Sequence, residues 1–173
     1  MTDLRRYLNL IEAQSAPIPT SLFHGSTNRI EEVKPFIHIG SYNAAVHRGA
    51  VVAFRETKAD PMAQIIIHEF IPTFTNPIFI QDLSGKGATH NSPSDYADLL
   101  PKTMRVQLSK KGYSWITLAE VLIENGYDSL SYRNNFEDAG SISYVVVDPK
   151  TIGIKTTSII TLKEAAAHLG VEL

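Results

Sequence analysis

The stretch Tyr132–Pro149, YRNNFEDAGSISYVVVDP, decides the fold of this chain. Its second half, ISYVVVD, is β-branched or aromatic almost throughout, which is typical of a central strand buried on both faces. The segment NNFEDAG before it is rich in turn-forming residues, and YDSLSYRN upstream has the pattern of another strand. The stretch therefore predicts two strands joined by a turn.

Strands and helices are also predicted upstream and downstream of this stretch. Strands are predicted in SLFHG, AQIIIHEFIP and NPIFIQDL, which begin at Ser21, Ala63 and Asn76. Helices are predicted in four places: residues 1–15, SYNAAVHRGA from Ser41, SWITLAEVLIENGYD from Ser114, and residues 161–170. The third is capped by Ser114 or Thr117, and in the fourth Thr161 and Glu164 form a capping box. The polar segment Gly85–Pro101 is predicted to be a long surface loop. These patterns predict one α+β domain over residues 1–173.

Composition excludes several classes of function. A net charge of −2 gives no reason to expect nucleic acid as a partner, and the absence of cysteine excludes disulfides and cysteine-based zinc sites. None of the six histidines has the spacing of a helical metal site, and the chain has neither a P-loop nor a Gly-x-Gly-x-x-Gly motif. No apolar run is long enough for a membrane span, so we expect a cytoplasmic protein without a metal.

Three segments of the chain form one pattern: FHGS from Phe23, HIGSYNAAVHR from His38, and GYDSLSYRNNFEDAGSISYVVVDPKTI from Gly126. Together they resemble the ADP-ribosyltransferase superfamily, in particular its small stand-alone members in bacteria and phages. The resemblance covers about Leu22 to Ile154. It implies a split, twisted β core, flanked by a few helices, that binds NAD as a substrate in a cleft, and a role as a toxin, a phage effector or a housekeeping enzyme.

The resemblance also implies a set of NAD-binding residues. His24 would donate a hydrogen bond to a ribose hydroxyl, and Gly25, which lacks a Cβ, would let its backbone pair with the nicotinamide carboxamide. Tyr42 and His47 are candidates for stacking on nicotinamide, although Tyr42 as an ordinary half-exposed aromatic is the stronger interpretation. The remaining candidates for NAD binding are Ser26, Ser41, Tyr132, Asn134, Ser143 and Tyr144.

The implied reaction needs a carboxylate, since breaking the nicotinamide–ribose bond builds positive charge on the ribose. Glu137 is the predicted catalytic acid, with His24 as its partner and Asp138 beside it; the alternative is that both acids are solvated turn residues. In the poly-ADP-ribosyl and related branches of this superfamily the catalytic glutamate precedes the aromatic of the last motif, where this chain has Ser143. Either Glu137 replaces it from the adjacent turn, or the activity is weak or absent. The chain also lacks the Gln/Glu-x-Glu pattern of arginine-directed enzymes.

Three functions follow from the resemblance. The first is an NAD-dependent mono-ADP-ribosyltransferase, a glycosyltransferase acting on a macromolecular acceptor, with a protein favoured. The second is a catalytically silent domain of the same fold that binds a protein or a nucleotide, which Ser143 favours. The third, an RNA 2′-phosphotransferase, is disfavoured because the chain has no dense basic cluster for RNA.

Overall fold

The computed structural model describes residues 17–83 and 92–173. The predicted helix over residues 1–15 and residues 85–91 of the predicted loop lie outside this part of the chain. Seven strands are present in it: β1 Leu22–Ser26, β2 His38–Ile39, β3 Gln64–Pro72, β4 Pro77–Phe79, β5 Ser129–Arg133, β6 Ile142–Val146 and β7 Ile152–Thr161. Five helices accompany them: α1 Tyr42–Thr57, α2 Pro93–Ala97, α3 Lys102–Lys111, α4 Trp115–Glu124 and α5 Leu162–Leu169.

The strands form two sheets, and the predicted α+β class is confirmed. One sheet has the order β1-β3-β7, and the other has the order β2-β6-β5-β4. All pairings are antiparallel except that of β4 with β5. Strand β6 lies between β2 and β5, and four of its five residues are buried, as the β-branched run predicts.

The apolar core has one cluster on each sheet and a third between them. Helices α1 and α5 cover one face of the β1-β3-β7 sheet around Val46, Ile65 and Ala165. Helices α2, α3 and α4 cover the second sheet around Leu108, Leu122 and Leu130. The third cluster contains side chains of both sheets, namely Leu22, Ile39, Phe70, Phe74, Tyr144, Val146 and Ile152. The two sheets are thus packed together rather than merely linked by the chain.

Local signals place most helix ends. The hydroxyl of Ser114 accepts the N–H of Thr117, so Ser114 is the N-cap of α4. Thr161 and Glu164 form the predicted capping box, and Gly170 ends α5 in the left-handed conformation, at a φ of 68°. Helix α1 begins after Ser41 as predicted but continues to Thr57, seven residues beyond the predicted segment.

The prediction of a loop through Pro101 is wrong for its second half. Residues Pro93–Ala97 form helix α2, in which Ser92 and Asp95 make a capping box. Tyr96 is 2% exposed, because its ring packs in the core of the second sheet. The serines and prolines that indicated a loop are the cap and the first turn of this short helix.

Candidate functional site

A cleft of about 830 Å³ opens where the two sheets diverge. Phe23 of β1 and Gly40 after β2 exchange two backbone hydrogen bonds, of 2.8 and 2.9 Å, and so join the sheets at one point. Beyond this joint β1 and β2 separate. The cleft between them is lined by residues of both sheets, of helix α1 and of the turn before β6.

His24 takes the place of a backbone donor at the point of separation. If the antiparallel pairing of Phe23 with Gly40 continued, Gly25 would face His38. Instead, Nδ1 of His24 donates a hydrogen bond of 2.7 Å to the carbonyl oxygen of His38. Because N–H and C=O groups alternate sides along a strand, those of Gly25 point to the edge where Phe23 meets Gly40. The described backbone hydrogen bonds include none for Gly25 on that edge, which faces the cleft.

The bond to a carbonyl fixes the tautomer of His24. A carbonyl only accepts, so Nδ1 carries the proton and, in the neutral ring, Nε2 is an acceptor. Removal from water lowers the pKa of His24, an effect that the hydrogen bond to His38 opposes and that the charges of His68 and Arg48 increase. The ring is therefore uncharged at neutral pH. In this tautomer Nε2 can accept a hydrogen bond but cannot donate one, whereas the sequence-based expectation is that His24 donates.

Gly25 is glycine for a reason that the motif did not indicate. A Cβ at this position would lie 1.9 Å from the carbonyl oxygen of Ala45, so helix α1 occupies the space that a side chain would need. Gly49 completes the contact, since its own Cβ would lie 2.4 Å from Ile65. Close packing of α1 on the sheet thus requires Gly25, in addition to the exposure of its backbone to the cleft.

Asn134 organises the turn between β5 and β6. It is 1% exposed, and its Oδ1 accepts the N–H groups of Phe136 and Glu137, both at 2.9 Å. Its Nδ2 donates to Oε2 of Glu137 at 2.8 Å and to the hydroxyl of Ser143 at 3.2 Å. One buried amide therefore holds both the backbone of the turn and the carboxylate of Glu137, which lines the cleft.

The two neighbouring acids of the turn have different partners. Glu137 lines the cleft together with His24 and Gly25. Asp138 instead accepts a hydrogen bond from the hydroxyl of Ser41, which also accepts the N–H of Ala44 as the N-cap of α1. Asp138 thus fixes the turn to helix α1, and Glu137 is the acid of this pair that lines the cleft, where Asp82 is a further acidic residue.

His38 joins two tyrosine hydroxyls on the wall of the cleft. Its Nδ1 lies 3.0 Å from the hydroxyl of Tyr132, and its Nε2 lies 2.8 Å from the hydroxyl of Tyr96. Desolvation, with smaller effects of His24 and Arg48, lowers the pKa of His38 to about 4, so the ring is neutral and donates at one nitrogen only. Burial and the neighbouring acids Glu137 and Asp82 raise the pKa of Tyr132, which remains protonated.

Arg48 supplies positive charge to the cleft. It follows Ala44 and Ala45 by about one turn on helix α1, and all three residues line the cavity. Among the described lining residues it is the only arginine or lysine, and its guanidinium makes no hydrogen bond or ion pair with the described part of the chain. This arrangement suits an anionic group, and guanidinium is well matched to phosphate.

Six residues predicted to bind NAD are not among the described residues that line the cleft. One of them is Asn134, the buried amide that holds Glu137. Ser26 exchanges hydrogen bonds with the backbone of Asn28 in a local turn. The Tyr42 ring contacts Phe23 and His168, and the His47 ring contacts Phe136. Tyr144 is 2% exposed and packs on Phe74 between the sheets. The positions of Ser26, Tyr42, His47 and Tyr144 give no support to a role in ligand binding. Ser41 donates to Asp138 and so holds the turn that carries Glu137.

Ser143 and Tyr132 line the cleft, as do His24, Gly25 and Glu137. Ser143 is 2% exposed, and the Cβ of any residue at Gly40 would lie 2.6 Å from its hydroxyl oxygen. Its hydroxyl accepts a hydrogen bond from Nδ2 of Asn134, so this serine helps to fix the amide that organises the turn. Gly40 is therefore packed against Ser143, and a side chain at Gly40 would displace its hydroxyl.

Several lining residues were not indicated by the sequence. They are Phe36, His38, Arg48, Asp82, Tyr96 and Trp115. Arg48 lies in the segment HIGSYNAAVHR, one residue after His47, so helical periodicity from Ala44 could have identified it. The aromatic residues come from three separate segments, and only the tertiary fold brings them together. Among the described residues no group of three or more histidines or acids could hold a metal ion.

Comparison with known proteins gives one distant likeness. No protein-family model matches the chain, and no curated protein matches it. A chain of the crystal structure of the M. tuberculosis MbcT–MbcA toxin–antitoxin complex is 11% identical, with a TM-score of 0.45, over 92% of this chain and 94% of that chain. A likeness of this degree carries no conclusion about activity.

No helix in the described ranges has the length and apolar character needed to cross a membrane.

Proposed function

We propose that this protein is an NAD-dependent mono-ADP-ribosyltransferase that transfers ADP-ribose from NAD to a protein acceptor. The observation that carries the proposal is the meeting of three features in one cleft: the acceptor nitrogen of His24, the backbone edge of Gly25 that has no partner among the described residues, and the carboxylate of Glu137. They come from segments more than a hundred residues apart in the sequence.

The residues of the cleft suit the parts of NAD. The N–H and C=O of Gly25 offer a donor and an acceptor side by side, which matches the carbonyl and amino group of a carboxamide. Nε2 of His24 accepts a hydrogen bond from a ribose hydroxyl. Arg48 is the partner for the diphosphate, and the volume of about 830 Å³ lies in the range of ligand pockets.

Glu137 supplies the charge that the reaction requires. As the bond between nicotinamide and C1′ of the ribose breaks, nicotinamide leaves with the electron pair and the ribose becomes an oxocarbenium-like cation. The carboxylate of Glu137 stabilises this cation, and the acceptor nucleophile attacks C1′ and passes its proton to the same carboxylate. The amide of Asn134 donates to one carboxylate oxygen of Glu137 and so fixes the side chain without placing a positive charge beside it.

A second candidate function is a silent domain of the same fold that binds a nucleotide without cleaving it. Ser143 favours this function, because branches of the superfamily that the sequence resembles have a catalytic glutamate at this position, and a buried serine cannot supply its charge. The two candidates make the same prediction for NAD binding and opposite predictions for the release of nicotinamide.

Incubation of the protein with NAD labelled in the adenylate half and with a bacterial lysate separates them. We expect the wild type to release nicotinamide and to label protein. Glu137→Gln, which keeps the shape and loses the charge, should lower the rate about a hundredfold or more and leave NAD affinity within about threefold.

Asp138→Asn is the matched control for this experiment, since it neutralises the adjacent acid, which is bound to Ser41. We expect this variant to retain most of the activity. Binding of NAD without nicotinamide release by the wild type would establish the silent domain instead. Undiminished labelling by Glu137→Gln would show that another group is the catalytic acid.

A further inference from the structure

Three aromatic rings form a continuous part of the wall of the cleft. The centroid of Trp115 lies 4.7 Å from that of Phe36 and 5.6 Å from that of Tyr96, and Phe36 lies 6.1 Å from Tyr96. All three residues line the cavity, and Trp115 is 39% exposed. The beginning of helix α4 thus presents an indole that is packed on one side and accessible on the other.

The backbone holds Phe36 in this arrangement. Its φ is 66°, in the left-handed region that residues with a Cβ rarely adopt. Two hydrogen bonds to β6 fix the segment: the N–H of Phe36 donates to the carbonyl oxygen of Val146 at 2.6 Å, and the carbonyl of Ile37 accepts from the N–H of Val146 at 3.0 Å. An unfavourable conformation that the neighbouring strand enforces is typical of binding sites.

NAD contains a second planar ring system, the adenine base, for which the polar residues of the cleft provide no stacking surface. Gly25, His24 and Glu137 suit the nicotinamide ribose, and Arg48 suits the diphosphate, but none of them offers a surface on which a base stacks. The aromatic wall lines the same cavity and offers that surface.

We propose that Trp115, with Phe36 packed against it, binds the adenine base of NAD by stacking. This inference rests on the proposed function, because it assigns the second half of the same substrate. The alternative occupant of the aromatic wall is an apolar group of the acceptor, which the experiment below separates from adenine.

Trp115 is the only tryptophan of the chain, so its fluorescence reports on this subsite directly. We expect ADP-ribose, which contains adenine and lacks nicotinamide, to quench this fluorescence with saturation. Ribose 5-phosphate, which has no base, should leave it unchanged. Trp115→Ala should weaken ADP-ribose binding, measured by calorimetry, about tenfold, and Trp115→Phe should largely retain it.

Tyr113→Ala is the matched control, because Tyr113 is 52% exposed, two residues away and not among the residues that line the cleft. This variant should bind ADP-ribose as the wild type does. The fluorescence titration uses the wild type, so it remains decisive if Trp115→Ala does not fold.

Two outcomes would count against the inference in different ways. If calorimetry detects NAD binding but ADP-ribose leaves the fluorescence of Trp115 unchanged, adenine does not stack there; the inference is then overturned and the proposed function stands. If neither NAD nor ADP-ribose binds the wild type, the proposed function fails and the inference fails with it.

Discussion

The two sides of the cleft are held in place by different forces. On the β1 side, Gly25 is pressed against the backbone of helix α1, and its position is set by close packing. On the opposite side, the turn that carries Glu137 is set by hydrogen bonds to one buried amide, that of Asn134. Close packing tolerates only very small displacements of the backbone, so an added atom is costly. A hydrogen-bonded turn instead loses its order when one hydrogen-bonding partner is removed. Substitutions on the two sides should therefore fail in different ways.

The largest effect is expected on the packed side. In Gly25→Ala the new Cβ would lie 1.9 Å from the carbonyl oxygen of Ala45, so helix α1 or strand β1 must shift. We expect the free energy of unfolding to fall by about 3 kcal/mol, measured by urea denaturation. Gly153→Ala is the control, because a Cβ there meets no atom within 4 Å. Equal stability of the two variants would contradict the packing argument.

A smaller effect on stability, joined to an effect on activity, is expected on the hydrogen-bonded side. Asn134→Ala leaves two N–H groups of the turn and the carboxylate of Glu137 without this partner. We expect a loss of about 2 kcal/mol and a fall in nicotinamide release that exceeds the fall in NAD affinity. Asn135→Ala, an exposed neighbour whose backbone N–H still donates to Asp82, should behave as the wild type. If Asn134→Ala kept full activity, Asn134 would not position Glu137.

The smallest effect concerns pH and arises from histidines of both sheets. The pKa values of His24, His38 and His68 are lowered, chiefly by desolvation, so the unfolded chain takes up protons first as the pH falls below about 6.5. Above this pH these histidines should leave the free energy of unfolding unchanged. Between pH 7 and pH 5 it should fall by about 1 kcal/mol, less than the full pKa shift of His38 would give, because His38 is partly exposed to solvent.

Denaturation at several pH values tests this dependence. The pKa values of Glu69 and Glu164 are also lowered, but they act only below about pH 4.5 and leave this window to the histidines. His38→Gln should flatten the profile, because an amide can still bond to the two tyrosine hydroxyls. A profile that rises toward pH 5 would mean that the histidines gain protons on folding.

The sequence predicted the parts of this structure that depend on local signals. The β-branched run of β6, the caps at Ser41, Ser114 and Thr161, and the turn that bears Glu137 each follow from a few adjacent residues. Strand β7 was not predicted, because it lies at the edge of a sheet and six of its ten residues are exposed, with no regular alternation of buried and exposed positions. Helix α2 was not predicted because its capping residues are also those of a loop.

Within the candidate site, too, the residues in short motifs were predicted, and the contacts that depend on the tertiary fold were not. His24, Gly25 and Glu137 were indicated by short motifs, and they line one cleft. The packing role of Gly25 could not be predicted, since it depends on where the carbonyl of Ala45 lies. The aromatic wall likewise depends on the approach of Phe36, Tyr96 and Trp115 in space. Sequence motifs identify residues whose side chains could take part in binding or catalysis, and the fold determines which of them line the same cleft.

The central claim is that His24, Gly25 and Glu137 bind the same molecule of NAD. Titration of the isotope-labelled protein with NAD, followed by the backbone amide resonances of Gly25 and Glu137, tests it most directly. We predict that both resonances shift and that the two curves give one dissociation constant, with no such shift at Gly153. A shift at Gly25 without one at Glu137, or no shift at either residue, would contradict the claim.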